Sequence, residues 1–101
     1  MSGHQHNDII NNKAKNRYEL EVDGHTAYID YVTNQTGEVY LTHTEVPPEI
    51  SGLGVGSELA QKTLERMKRR NRKIAPLCPF IAIYIRKNPE WKDIILEGYN
   101  V

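Results

Sequence analysis

Between Arg17 and Val46 apolar and polar residues alternate with a period of two, and beyond Val55 the period lengthens to about 3.6 residues. RYELEV, HTAYIDYVT and EVYLTHTEV are enriched in Tyr, Val, Ile and Thr, as strands are. Asp23-Gly24 separates the first two and predicts a tight hairpin turn. Asn34-Gln35-Thr36-Gly37 separates the second from the third, so an antiparallel meander is expected. In the third strand, alternation places Val39, Leu41, His43 and Glu45 on one face. Tyr40, Thr42, Thr44 and Val46 fall on the other. Pro47-Pro48 then stops pairing, because neither residue can donate to a ladder.

In VGSELAQKTLERMKRRNRK the residues Leu59, Ala60, Thr63, Leu64 and Met67 form one apolar stripe, predicting a helix that faces the sheet. Glu58 with Lys62, and Glu65 with Arg69, are spaced to pair on its wet side. KRRNRK reads as a solvated helix end, where positive charge complements the dipole, ahead of a nucleic-acid surface. KIAPLC supplies a short apolar strand, expected parallel to the strand before the helix because the crossover is right-handed. PFIAIYIRKNPEW predicts a shorter helix: Pro79 suits its first turn and Pro89 limits it at or before Asn88. WKDIILEGYNV is open to one more helical turn, a short edge strand, or both. Residues 1–16, rich in Asn and poor in apolar residues, read as a flexible leader before an α+β domain over 17–101. His4 and His6 have spacing that could hold a metal, but supporting ligands are missing, so no metal is expected.

With 101 residues the chain is long enough for one small domain. Thirteen basic and thirteen acidic residues give no net charge, which argues against nucleic acid as a partner. The lone cysteine, Cys78, excludes an internal disulfide. No apolar run approaches the roughly 20 residues a membrane span needs, and the polar start lacks a signal peptide's apolar region. A soluble protein, cytoplasmic or otherwise intracellular, without a membrane partner is expected.

SGLGVG, residues 51–56, sits between the proline break and the long helix. Glycines permit backbone angles that point several N–H groups into one concavity, and a helix start adds a positive dipole end. The same glycines also suit a turn that only packs closely, and both readings stand. No Lys follows Gly56 directly, so a triphosphate loop is poorly supported; the spacing and the preceding meander likewise fail the dinucleotide fingerprint.

The order of SGLGVG, PLC and YIRKNPEW is more specific than any one of them. Residues 17 to about 95 resemble a minimal member of the GNAT acyltransferase superfamily, in particular its small members with a GxGxG turn and a Pro-Leu-Cys segment. The resemblance implies a compact GNAT-like fold: an N-terminal antiparallel meander, a cofactor-binding helix, a further central strand and a C-terminal helix. It implies acetyl-coenzyme A or coenzyme A as cosubstrate. The pyrophosphate would lie against Gly52, Leu53, Gly54, Val55, Gly56 and Ser57, and the pantetheine arm along Thr44, Glu45 and Val46. The superfamily often has Arg or Gln where this chain has Ser51, which removes a side-chain contact and leaves the backbone nest.

Acetyl transfer needs a neutral nucleophile, a route for its proton and stabilisation of an oxyanion. Glu45 is a candidate proton acceptor through water, or simply a solvated charge. His43 is an alternate base or a hydrogen-bonded histidine. The resemblance places Cys78 near the splayed ends of two strands, where it either carries an acetyl group or is buried structurally. Its apolar neighbours do not favour a thiolate. Tyr84 lies where many relatives place a tyrosine that protonates the departing thiolate; its other role is packing. Trp91 reads as a lock for the C-terminal segment.

Larger members insert helices after the first strand to shape the acceptor pocket, and here only a hairpin stands there. The expected function is therefore N-acetyl transfer to an unidentified amine or protein acceptor by direct attack. The alternative is a coenzyme A-binding or interaction module with little transferase activity. A homodimer could complete the open cleft.

Overall fold

The structure, a computed structural model, describes residues 8–101. Strands β1 (Ile10–Asn12), β2 (Arg17–Val22), β3 (His25–Thr33), β4 (Val39–Glu45) and β5 (Ile74–Pro76) form one sheet in that order. The first four pair antiparallel and β5 runs parallel to β4. Helix α1 (Val55–Arg69) makes the crossover between them. Helix α2 (Pro79–Lys87) and a 3₁₀ segment (Pro89–Ile94) follow.

The turn chemistry has direct causes. Asp23 and Gly24 both have positive φ, 51° and 79°, the mirror-image turn whose twist suits a two-residue hairpin. At the next turn Asn34 Oδ1 accepts from the backbone N–H of Thr36 (3.1 Å) and Glu38 (2.9 Å), folding the loop through its own side chain. Val55, Leu59, Ala60, Thr63, Leu64 and Met67 of α1 are buried against the inward side of the sheet. Ile81 and Ile85 of α2 complete the same core. The Glu58–Lys62 pair forms at 2.7 Å. Glu65 accepts from Gln61 Nε2 (3.3 Å) in place of the expected partner Arg69.

Two expectations need correction. The leader does not extend through residue 16, because β1 pairs with β2 and Ile9 is buried in the core. Asn12 Nδ2 donates to Glu19 Oε2 (3.0 Å), and the Tyr31 hydroxyl donates to Asn11 Oδ1 (2.6 Å). Strand pairing, burial of Ile9 and these side-chain hydrogen bonds thus tie an Asn-rich stretch to the sheet. The rest of the expected leader, with His4 and His6, lies outside the described residues.

The second correction concerns β4. Tyr31 pairs with Leu41 while its neighbour Asp30 pairs with His43, so Thr42 is an extra residue opposite β3. This β-bulge resets the alternation. Val39 and Leu41 face inward, and Thr44, expected on the opposite face but paired with buried Ile29, faces inward too. His43 and Glu45 face outward with Asp30 and Tyr28.

At the far edge β5 has β4 on one side and a single parallel bridge, Ile74 to Ile95, on the other. The C-terminal stretch therefore contains both a helical turn and a strand-like contact, with Leu96 N–H donating to Ile74 O at 2.7 Å. Among the described residues no helix is long and apolar enough to cross a membrane.

Candidate functional site: the glycine turn and the gap beside β4

Ser51 is extended, and its hydroxyl donates to Pro48 O at 3.2 Å. Gly52 and Gly54 then take left-handed φ values of 87° and 76°, a region where any other side chain is strained. Gly54 caps α1 and its carbonyl accepts the Glu58 N–H (3.0 Å). No side chain caps that helix start, so no neighbouring side chain occupies its first-turn N–H groups. A Cβ at Gly52 or Gly54 would meet nothing within 4 Å, so the space above them is open.

Gly56 has a different job. A Cβ there would lie 2.7 Å from Phe80 Cζ, so the missing side chain lets the start of α2 approach the start of α1. SGLGVG is both things at once: Gly52 and Gly54 open a concave backbone, and Gly56 permits close packing. Together with Val46 and Phe80 the turn lines an open groove of about 340 Å³. No carboxylate lines it. Helix α2 also begins without a side-chain cap, so two positive helix ends meet at this groove.

The gap has a backbone cause. Pairing of β4 with β5 ends at Leu41 and Pro76, and the Cys78 N–H donates to Leu41 O (2.9 Å) as the chain turns into α2. β4 continues to Glu45, so the two chains diverge beyond that point. Cys78 is buried, and its thiol lies 2.9 Å from the Thr44 hydroxyl. Thr44 is two residues, about 7 Å along an extended strand, from Val46 in the groove wall.

The other expected residues sit elsewhere. His43 Nε2 lies 3.1 Å from Glu45 Oε1 on the outward face, both side chains about half exposed. Tyr28 stands beside His43, and the Arg17 guanidinium lies 3.7 Å from the Tyr28 ring centroid. The structure therefore does not pair His43 with Cys78, whose partner is Thr44. Tyr84 packs against the core. Burial raises its phenol above the ordinary value, Glu90 and Glu65 add to that, and the Trp91 side chain opposes it. It does not line the glycine groove. Among the described residues no group of His, Cys, Asp and Glu could hold a metal ion.

Sequence reasoning missed Phe80 and the bulge. Phe80 had a readable signal, an aromatic directly after the helix-starting Pro79. Thr42 had none, since the alternation in LTHTE is compatible with a regular strand.

A search of the curated proteins gives no match. The sequence pattern of a family described as GCN5-related N-acetyl-transferase matches residues 17–94. That span runs from β2 to the end of the 3₁₀ segment Pro89–Ile94 and includes the bulge, the glycine turn and the crossover helix. With most of its length matched, and with the groove and gap inside the match, the chain belongs to the GCN5-related N-acetyl-transferase family.

Proposed function

We propose that the chain binds acetyl-coenzyme A at the glycine groove and transfers its acetyl group to an amine by direct attack. The observation that carries this reading is the uncapped start of α1, delivered by left-handed Gly52 and Gly54 into a groove free of carboxylates. The backbone N–H groups of Gly52 to Ser57 would hold the pyrophosphate, as helix starts hold anions. Thr44, Glu45 and Val46 would flank the pantetheine arm along the free edge of β4, with Val46 and Phe80 as apolar walls. Bound acetyl-coenzyme A supplies the activated carbonyl.

Glu45 is the proton acceptor in this reading, acting through water, with His43 at 3.1 Å orienting its carboxylate and able to share the proton. Their outward position leaves them accessible to an amine that approaches from the bare side of the sheet. Cys78 serves to position Thr44: its thiol is buried and bonded to a hydroxyl rather than to a base. Tyr84, packed against the core, holds α2 in place and so sets the groove wall indirectly.

Calorimetric titration with acetyl-coenzyme A, free coenzyme A and ATP tests the cradle. Saturable one-to-one binding of both coenzyme A species is expected, weakened at least about tenfold (about 1.4 kcal/mol) in Gly54→Arg with unchanged circular dichroism. Absence of binding overturns the reading. The uncovered outward face around His43 and Glu45 favours a second one, a coenzyme A-binding module with little turnover. Binding without acetylation across a panel of small amines and lysine peptides would select it.

A further inference from the structure

The far end of α1 carries a second cavity, and its chemistry is cationic. Lys13, Tyr18, Tyr31, Arg66, Arg70 and Arg72 line a half-open space of about 300 Å³, within the usual range for small-molecule sites. No carboxylate lines it. Tyr18 and Tyr31 are buried and stacked, with ring centroids 4.5 Å apart. Tyr31 spends its hydroxyl proton on Asn11 Oδ1 (2.6 Å), whereas the Tyr18 hydroxyl has no partner among the described residues.

The guanidiniums are placed rather than scattered. Arg66 stands 5.9 Å from the Tyr18 ring centroid. Arg72 Nη1 donates to Gly37 O (2.8 Å), and a Cβ at Gly37 would lie 2.6 Å from that nitrogen. Arg66, Arg70 and Arg72 all pull the Tyr18 phenol downward against the larger upward effect of burial, so three cations act on one hydroxyl. None of the four cations forms an ion pair with a described carboxylate, although the whole chain is electrically neutral.

Complementing the helix dipole accounts for arginines at the end of α1. It does not account for Lys13, which comes from the β1–β2 hairpin, or for Arg72, which lies beyond the helix and is held by the β3–β4 loop. Converging like charges repel one another, and a multivalent anion relieves that repulsion. Guanidinium forks match phosphate oxygens, and a phenol supplies one further donor.

We propose that this cavity is a binding site for a small polyphosphate-class anion, held by Arg66, Arg70 and Arg72 with the Tyr18 hydroxyl donating. It is distinct from the glycine groove: from Gly56 to Arg70 the helix runs about 20 Å at 1.5 Å per residue. The site is independent of the coenzyme A reading.

The test is calorimetry of the full chain with sodium pyrophosphate at fixed ionic strength, with citrate as comparator. One-to-one binding is expected in the Gly54→Arg chain, whose glycine groove is blocked, weakened there at least about tenfold by Arg70→Gln and by Arg66→Gln and several-fold by Tyr18→Phe. Lys87→Gln on α2 should bind like the parent chain, and saturating coenzyme A should leave the pyrophosphate constant unchanged. The exposed position of Arg70 makes its variant the safe one if Arg66→Gln folds poorly. No saturable heat at millimolar pyrophosphate overturns the proposal. So does parental affinity in Arg70→Gln, displacement by coenzyme A, or tighter binding of citrate.

Discussion

The Thr44 hydroxyl and the Cys78 thiol lie 2.9 Å apart, joining β4 to the residue just before α2 where the two chains diverge. Losing one partner of a part-buried hydrogen bond costs about 1–2 kcal/mol, and Thr44→Val should lower stability by that amount in urea unfolding. With direct attack, Cys78→Ala retains turnover within about fivefold, about 1 kcal/mol of barrier. Intact-mass analysis after exposure to acetyl-coenzyme A alone should show no acetylated protein. An acetyl adduct that disappears with Cys78→Ala would establish a covalent route instead.

Gly56 and Phe80 are coupled through space. Gly56→Ala puts a methyl group where Phe80 now sits, and forcing such a contact costs about 1–3 kcal/mol. In a Phe80→Ala background the same change should cost less than about half as much, because contacting residues are not additive. Thermal unfolding of the four proteins in the cycle measures this. Equal costs in both backgrounds would show that the glycine matters for backbone reasons alone.

Thr42 bends β4 just past its last pair with β5. Deleting it leaves Leu41 and Thr44 facing inward, since a regular strand then meets the same partners. It also straightens the strand and narrows the gap. The deletion variant should fold, by circular dichroism, yet bind acetyl-coenzyme A at least about tenfold more weakly. Unchanged affinity would detach the bulge from cofactor binding.

Glu45 carries a kinetic expectation. Glu45→Gln should lower kcat by about 10²-fold, the lower end for a general base, and leave acetyl-coenzyme A affinity near the parental value. His43→Gln should cost less. A Glu45→Gln variant with parental kcat would remove the carboxylate from the mechanism.

Burial holds the Tyr18 and Tyr84 phenols protonated above their ordinary range. Above about pH 10 the unfolded chain loses these protons while the folded chain keeps them. Their stabilising effect is therefore complete below pH 10 and is lost as pH rises through the raised folded values. Urea midpoints measured across that interval should fall for the parent chain and fall less steeply in Tyr18→Phe and Tyr84→Phe. Parallel slopes would assign the alkaline loss to other groups.

The meander, the sheet-facing stripe of α1 and the helix that stops at Asn88 were legible because each depends on local periodicity or on one Gly or Pro. The glycine turn was legible for the same reason, and its order with Pro-Leu-Cys pointed to the family. Which of its glycines bends the chain and which admits Phe80 was not, since that depends on how two helices meet. β1 was hidden because Asn11 and Asn12 are held by partners on other strands.

Sequence alone determined the order of elements from β2 to α2, the apolar stripes and the backbone freedom at residues 51–56. Tertiary structure decided which face Thr44, His43 and Glu45 present, because a bulge belongs to a pair of strands and leaves no mark on the alternation of one. It also gave Cys78 the Thr44 hydroxyl for a partner, packed Tyr84 against the core, and gathered cations from a hairpin, a helix and a loop around Tyr18. Those relationships join residues distant along the chain, and only packing brings such residues within reach of one another.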